Sequence, residues 1–392
     1  MRSLICILGR QPAISVAELE SVFGPEAIVP FNDNSVIVNT EKKVSLQELG
    51  GTIKIAEIIG TIQNSSWPRV SSNISNKIVN YSSNRWKDNG HKLSMAISVY
   101  GFNIPNDQIR RLSFNTKKFL KEKGQSAHMT LPKDEALNSA QVIHNKLLGE
   151  FGAEFLIVTD SIKTILAKTL SVQDIDRYSK RDYERPGRDI KVGMLPPKLA
   201  QIMLNLAGVT SETKVLDPFC GTGVVLMEAA LKHASIMGSD ARQEMVSATK
   251  DNLKWLSNEY HLEINSRGIT SADATSNKWI GKPDSVVTEM YLGPAMTKLP
   301  EEEQLKEIVG QCNNLLRKFL INLKPQLRPG ARCCIAIPAW NTPKGLVRLP
   351  VADQVGTMGY VKHKFENLKS ERIVYRRPDQ LVARELLVLT AK

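Results

Sequence analysis

Three carboxylates and a pair of glycines carry the chemical signal in this sequence. Val215-Leu216-Asp217-Pro218-Phe219-Cys220-Gly221-Thr222-Gly223 reads as a strand running into a Gly-rich turn, with a helix following from Val224 to Lys232. Gly221 and Gly223 let the backbone pass close to a ligand with no Cβ in the way. A dinucleotide fold would place a third glycine at G-x-G-x-x-G and seat a pyrophosphate on the helix N-terminus. Here that glycine is missing and Asp217 precedes the turn, which suits a ligand bearing an amino acid and a positive sulfonium, with no phosphate to hold. Asp240 follows the strand Ser235–Gly238, where a carboxylate can accept both hydroxyls of a ribose. Asp273 follows Gly268–Ser271 and could accept from an adenine amino group.

These residues need a scaffold that brings strand ends together. From Lys198 onward strands and helices alternate: a helix Lys198–Ala207, then strands Lys214–Leu216, Ser235–Gly238, Gly268–Ser271, Ser285–Thr288 and Ala331–Ile337. The clearest helix carries Leu305, Ile308, Val309, Cys312, Leu315, Leu316, Phe319 and Leu320 along one face. Strand-like runs Lys369–Tyr375 and Leu381–Leu389 close the chain. The alternation predicts an α/β fold with a doubly wound, mostly parallel sheet whose ligand sits at the carboxyl ends of the strands.

The front half reads differently. Ser3–Leu8 is a strand, Ser15-Val16-Ala17-Glu18 a capping box opening a helix that ends before Gly24, and Val36–Val38 and Ile53–Ile62 are strand-like. Asn64 to Gly90 is rich in Ser and Asn and is expected as a loop or junction. Then follow a strand Leu93–Val99, a helix Asp107–Lys123, a strand Ala127–Leu131, a helix Ser139–Leu148 and strands Glu154–Thr159 and Thr164–Leu170, which predict a mixed sheet with helices on one face. The charged, turn-rich stretch Val172 to Gly193 is expected as a connector.

The formal net charge is +12, and Lys54 to Lys146 holds fourteen Lys/Arg against six Asp/Glu, leaving the rest of the chain nearly balanced. Such a surplus gains affinity for phosphates by releasing counterions. The five cysteines form neither a disulfide framework nor a C-x-x-C pair, so a reducing cytoplasm is expected. No apolar run reaches the length of a membrane helix. His91, His128, His144, His233, His261 and His363 show no metal-ligand spacing, and no metal is expected. Cys220 fits the turn as a small residue. A nucleophilic cysteine for carbon-5 methylation would sit at the end of strand four.

Asp217-Pro218-Phe219-Cys220-Gly221-Thr222-Gly223 resembles motif I of the class I amino-group methyltransferases. The upstream run Arg181-Asp182-Tyr183-Glu184-Arg185-Pro186-Gly187-Arg188-Asp189, with Gly193-Met194-Leu195-Pro196-Pro197-Lys198-Leu199-Ala200, narrows the likeness. With Leu8-Gly9-Arg10-Gln11-Pro12 and Arg377-Pro378-Asp379-Gln380-Leu381-Val382-Ala383-Arg384-Glu385, the chain resembles the THUMP-containing tRNA guanine-10 N2-methyltransferases. The resemblance implies S-adenosylmethionine as cofactor, with Leu195, Pro196, Phe219 and Ala274 lining its site beside the acids and glycines already named. It also implies tRNA as substrate and, for some members, a small activating subunit. The domains implied are a ferredoxin-like region at 1–62, a THUMP domain at 63–171, a linker at 172–193 and a methyltransferase domain at 194–392.

One departure stands out. The family places Asp-Pro-Pro-Tyr at the end of strand four, where acid and proline carbonyl accept from the target amine and the ring stacks on the base. This chain has Val287-Thr288-Glu289-Met290-Tyr291-Leu292-Gly293. Aligned on the glycine, Glu289 takes the acid position and Leu292 the aromatic one; shifted by one, Tyr291 is the ring and Thr288 replaces the acid. Both registers lack the prolines. Three readings follow: an active tRNA guanine N2-methyltransferase, a catalytically impaired RNA-binding relative, or an amino-group methyltransferase on another nucleic acid.

Overall fold

The computed structural model describes residues 2–64, 66–86, 90–160, 162–188, 194–368, 370, 372–377 and 380–392. Asp189, Gly193, Pro378 and Asp379 of the motifs above lie outside the described residues. The chain forms two compact units, the first from Met1–Pro12, Glu26–Gln47 and Thr52–Ile175, the second from Ala13–Pro25, Glu48–Gly51 and Asp176–Lys392.

In chain order, β1 (Arg2–Leu8) precedes α1 (Pro12–Phe23), then β2 (Ile28–Asn32), β3 (Ser35–Thr40), β4 (Thr52–Ile62) and α2 (Trp67–Arg85). β5 (Leu93–Tyr100), α3 (Asn106–Glu122), β6 (Ala127–Thr130), α4 (Ser139–His144), β7 (Gly152–Thr159) and β8 (Thr164–Val172) follow. The eight strands make one sheet in the order β2-β3-β1-β4-β8-β7-β5-β6, with β5 parallel to β6 and β7 and the other pairs antiparallel. The expected division at residues 62 and 63 falls at the end of β4, whose partners are β1 and β8, so this single sheet runs through both sides of it.

The stretch expected as a loop from Asn64 is corrected to helix α2. Val70, Ile74 and Ile78 recur at helical spacing and are buried, with Ser75 and Ser82 on the same side. Abundant Ser and Asn on the outer face hid that stripe. They pack with α3 residues Ile109, Leu112 and Leu120 in one cluster over β5 and β7. The helix expected to reach Leu148 stops at His144, and Lys146 takes a left-handed φ of 55°.

The second unit contains α5 (Ile175–Tyr183), α6 (Pro197–Leu206), β9 (Lys214–Asp217), α7 (Val224–Leu231), β10 (Ser235–Asp240), α8 (Gln243–Tyr260), β11 (Ile269–Ser271) and β12 (Ser285–Glu289). It ends with α9 (Glu302–Leu323), β13 (Arg332–Thr342), β14 (Gly345–Val347), β15 (Tyr360–Lys362), β16 (Ile373–Tyr375) and β17 (Val382–Ala391). Its sheet runs β11-β10-β9-β12-β13-β17-β15, with the first five strands parallel and β17 antiparallel to both β13 and β15. Strand order reverses between β9 and β12, the place where doubly wound sheets open a crevice at their carboxyl ends. Leu305, Ile308, Cys312, Leu316, Phe319, Leu320 and Leu323 of α9 are buried against one face, while Val309 and Leu315 are half-buried at its edge. On the other face α6, α7 and α8 share a core with Ile14 and Ala17 of α1.

Two further expectations are corrected here. Ser15 and Glu18 do not cap α1, which begins at Pro12; both are buried inside it. The Ser15 hydroxyl donates to the Gly51 carbonyl at 2.8 Å, and the Glu18 carboxylate accepts from the Gly50 and Gly51 amides, each at 2.8 Å, and from Asn205 Nδ2 at 2.7 Å. The stretch expected as a connector holds α5, whose Arg181 is buried and forks onto Glu228 of α7 through Nε at 2.6 Å and Nη2 at 3.2 Å. Dense charge concealed that anchor, because Arg181 has its partner far along the chain.

Candidate active site

The glycine turn after β9 is fixed from behind by α8. Thr249 Oγ1 donates to the Gly221 carbonyl at 2.7 Å, and Asn252 Nδ2 donates to the Thr222 carbonyl at 2.7 Å and the Gly187 carbonyl at 2.8 Å. Gly187 N returns a bond to Asn252 Oδ1 at 2.7 Å. Gly221 and Gly223 both have positive φ, 51° and 85°. A Cβ on Gly223 would stand 2.8 Å from Thr249 Cγ2, whereas one on Gly221 would meet nothing within 4 Å and would project into open space. The turn is therefore packed on one side and open on the other, as a cradle must be. Gly223→Ala adds left-handed strain and that clash, and is expected to destabilise by about 1–3 kcal/mol, read as a lowered Tm.

Asp217 lies at the floor, 2% exposed. Its Oδ1 accepts from Thr288 Oγ1 at 2.6 Å and from Phe219 N at 3.2 Å. Burial pushes its carboxyl up to about 7 against these two bonds, and the neighbouring Asp240 and Glu289 charges add to the rise. Among the described residues no cation pairs with it, which leaves a carboxylate suited to a positive ligand. Glu289, at the end of β12, is ion-paired through Oε1 with Arg384 Nε of β17. Burial raises its carboxyl, and Arg384 opposes that.

Asp217 and Glu289 line one cleft, open to solvent, together with Met194, Leu195, Phe219 and Gly221. Gly223 and Asp240 support the lining from behind, with Asp240 Oδ2 accepting from Gly221 N at 3.0 Å and Oδ1 from Arg242 N at 3.0 Å. Pro196 opens α6, its carbonyl accepting from Leu199 N at 2.9 Å.

Asp273, Ala274, Thr288 and Tyr291, also expected at the site, are not among the residues lining the cleft. Asp273 closes its own turn, Oδ1 accepting from Thr275 N and Oγ1 at 2.8 Å each, and is not in the cleft lining. Ala274 is buried with its carbonyl taken by Asn322 Nδ2 at 3.0 Å. Thr288 is fully buried and spends its hydroxyl on Asp217. Tyr291 lies beyond β12, 49% exposed and outside the lining. Sequence reasoning missed Arg242 and Met245, which line the cleft, and the role of Arg384. The signal for Arg384 was a charged pair, Arg384-Glu385, inside an otherwise apolar strand.

The features that fit S-adenosylmethionine are the open glycine cradle and the uncompensated Asp217 beside it. Residues 185–361 match the UPF0020 family, described as an RMKL-like methyltransferase domain. The chain is 30% identical over 184 residues, 47% of its length, to the tRNA (guanine(10)-N2)-dimethyltransferase of Methanothermobacter thermautotrophicus, and the match spans 50% of that relative. The chain thus spans about half the length of this curated relative. It is 38% identical over 127 residues, 31% of its length, to the "Probable tRNA (guanine(10)-N2)-dimethyltransferase" of Methanothermococcus thermolithotrophicus, covering 74% of it. The crystal structure of TrmN from Thermus thermophilus aligns over 100% of both chains with a TM-score of 0.56 at 15% identity, a likeness of fold. By its second-unit architecture, its glycine turn and these relatives, the chain belongs to the THUMP-containing family of tRNA guanine-10 N2-methyltransferases.

Proposed function

We propose that this protein transfers a methyl group from S-adenosylmethionine to the exocyclic amine of a guanine in tRNA, at position 10 by the family relationship. The observation carrying this reading is the pairing of two acids in one cleft, the buried Asp217 at the glycine turn and the part-buried Glu289 at the end of β12. The bound cofactor supplies an electrophilic methyl on a sulfonium. Asp217, Gly221 and Leu195 hold it from the floor and wall. Glu289 accepts an N–H of the guanine amine, favouring the pyramidal nitrogen whose lone pair can attack. On taking up the methyl, the amine nitrogen would develop positive charge, which the Glu289 carboxylate would stabilise, and that carboxylate would accept the one proton the nitrogen then loses. Thr288 acts indirectly, by orienting Asp217.

The first unit is the RNA-holding part in this reading, with ferredoxin-like residues 1–62, THUMP residues 63–171, a linker at 172–193 and the catalytic domain at 194–392. Among the described residues no helix is long and apolar enough to cross a membrane, and no metal-binding cluster is found; the proposed location is the cytoplasm. On α3 the outward residues Arg110, Phe114, Lys117, Lys118 and Lys121 combine cations with an aromatic ring that is 57% exposed. A base stacked on such a ring is worth about 1–3 kcal/mol. Phe114→Ala is expected to weaken tRNA binding by that amount in a filter or anisotropy assay. Lys117→Glu with Lys118→Glu should flatten its salt dependence.

Nucleoside mass spectrometry of tRNA incubated with protein and cofactor tests the whole proposal. N2-methylguanosine supports it. Cofactor and tRNA binding without product would instead identify an RNA-binding relative, a reading favoured by the missing strand-four prolines.

A further inference from the structure

We infer that Arg384 is a positioning residue of the methyl-accepting site, fixing the Glu289 carboxylate at the end of β12 and keeping it charged. The inference rests on the methyl-transfer reading above. β12 and β17 flank β13, and the register places Glu289 beside Ala336 and Arg384 beside Pro338. Ala336 and Pro338 alternate onto the same face, and the small Ala336 leaves the guanidinium a path across β13 to Glu289. Arg384 is 3% exposed and Glu289 18%, and of the two only Glu289 lines the cleft, so the guanidinium holds the acid from outside the lining.

A buried ion pair contributes little net stability compared with an apolar pair of the same size, so its presence in a cleft wall calls for another reason. The reason here is local. Met290 and Tyr291 follow the acid with no proline to fix the backbone, and a charged clamp from β17 restrains Glu289 instead. Arg384 from β17 is ion-paired with Glu289, and Asp217 from β9 and Arg242 beside α8 share its cleft lining. Burial opposes the ionisation of Glu289, and the cation from β17 offsets that.

Arg348 and Glu385 provide an internal comparison. They form a fork, Nε to Oε2 at 2.6 Å with Nη2 on Oε1, in which Glu385 belongs to the same strand β17 and both residues are outside the cleft lining. Arg348→Met is the control for a structural ion pair.

The test uses the full chain with Arg384→Met, which keeps length without charge, and Arg384→Lys, which keeps charge without the guanidinium. In Arg384→Met the pH profile of N2-methylguanosine formation is expected to move upward. At neutral pH the rate should fall by roughly tenfold for each unit by which the Glu289 titration rises, and recover toward alkaline pH. Arg384→Lys should keep the original profile, and so should Arg348→Met. Infrared difference spectra at neutral pH should show an additional protonated-carboxyl band in Arg384→Met, beyond that of Asp217 in the unaltered protein, and removed by adding Glu289→Gln. An unchanged profile, or no such band, overturns the inference. If Arg384→Met does not fold, Arg384→Gln is read by the same two criteria. An unaltered protein that makes no N2-methylguanosine defeats the methyl-transfer reading alone, because the infrared band still reports whether Arg384 holds Glu289 ionised.

Discussion

Glu289→Ala is expected to lower the rate of methyl transfer by about 10²–10³, the loss usual when one preorganised electrostatic contact to a transition state is removed. Cofactor affinity should change little. The amine of guanine is a weak nucleophile because its lone pair is delocalised into the ring, so the group that accepts its hydrogen acts where charge develops and not where the cofactor is gripped. A thousandfold loss corresponds to about 4 kcal/mol of barrier. The carboxylate sits on the cleft wall with its position set by Arg384, and no other acid at the end of β12 can replace it. Single-turnover kinetics on tRNA, with calorimetry of the demethylated cofactor, separate the two effects. A variant retaining full single-turnover rate would remove Glu289 from the reaction.

The second large effect concerns Asp217. With its carboxyl pushed up to about 7 by burial, Asp217 is partly protonated at neutral pH in the ligand-free protein. A sulfonium favours the ionised form, so S-adenosylmethionine should bind more tightly as pH rises from 6 to 8, and its binding should release protons at the lower end. The demethylated product carries no sulfonium and should show a weaker dependence. Asp217→Asn is expected to lose at least about tenfold in affinity for S-adenosylmethionine and to flatten the pH dependence, as measured by calorimetry in buffers of different ionisation enthalpy. The sign on stability is opposite. An acid whose folded pKa lies above its unfolded value of 3.8 contributes stability below that value and loses it as pH rises toward about 7. Asp217→Asn should therefore be more stable than the unaltered protein at pH 8 and worse at its task, the trade expected of a binding residue held in an unfavourable place.

The second unit was legible because its parallel strands are buried on both faces and read as short apolar runs between helical stretches. Its glycine turn was legible because a positive φ beside a ligand leaves few choices of residue. Contacts were not legible where the determining partner lies far along the chain. Arg384 and Glu289 are 95 positions apart and meet only because β13 and β17 run antiparallel. Helix α2 was hidden by its solvent face, whose Ser and Asn residues outnumber the buried stripe of Val70, Ile74 and Ile78.

Helix α1 has a consequence for how such proteins can be inherited and rearranged. It is flanked in sequence by β1 and β2 of the first sheet, yet Ile14 and Ala17 complete the apolar core beside the methyl-transfer cleft, and Glu18 ties down Gly50 and Gly51 there. The second unit is therefore not a cassette: a gene fragment starting at residue 176 would encode a core with one wall left out. Recombination that swaps the first unit must carry this helix across or supply a substitute for it.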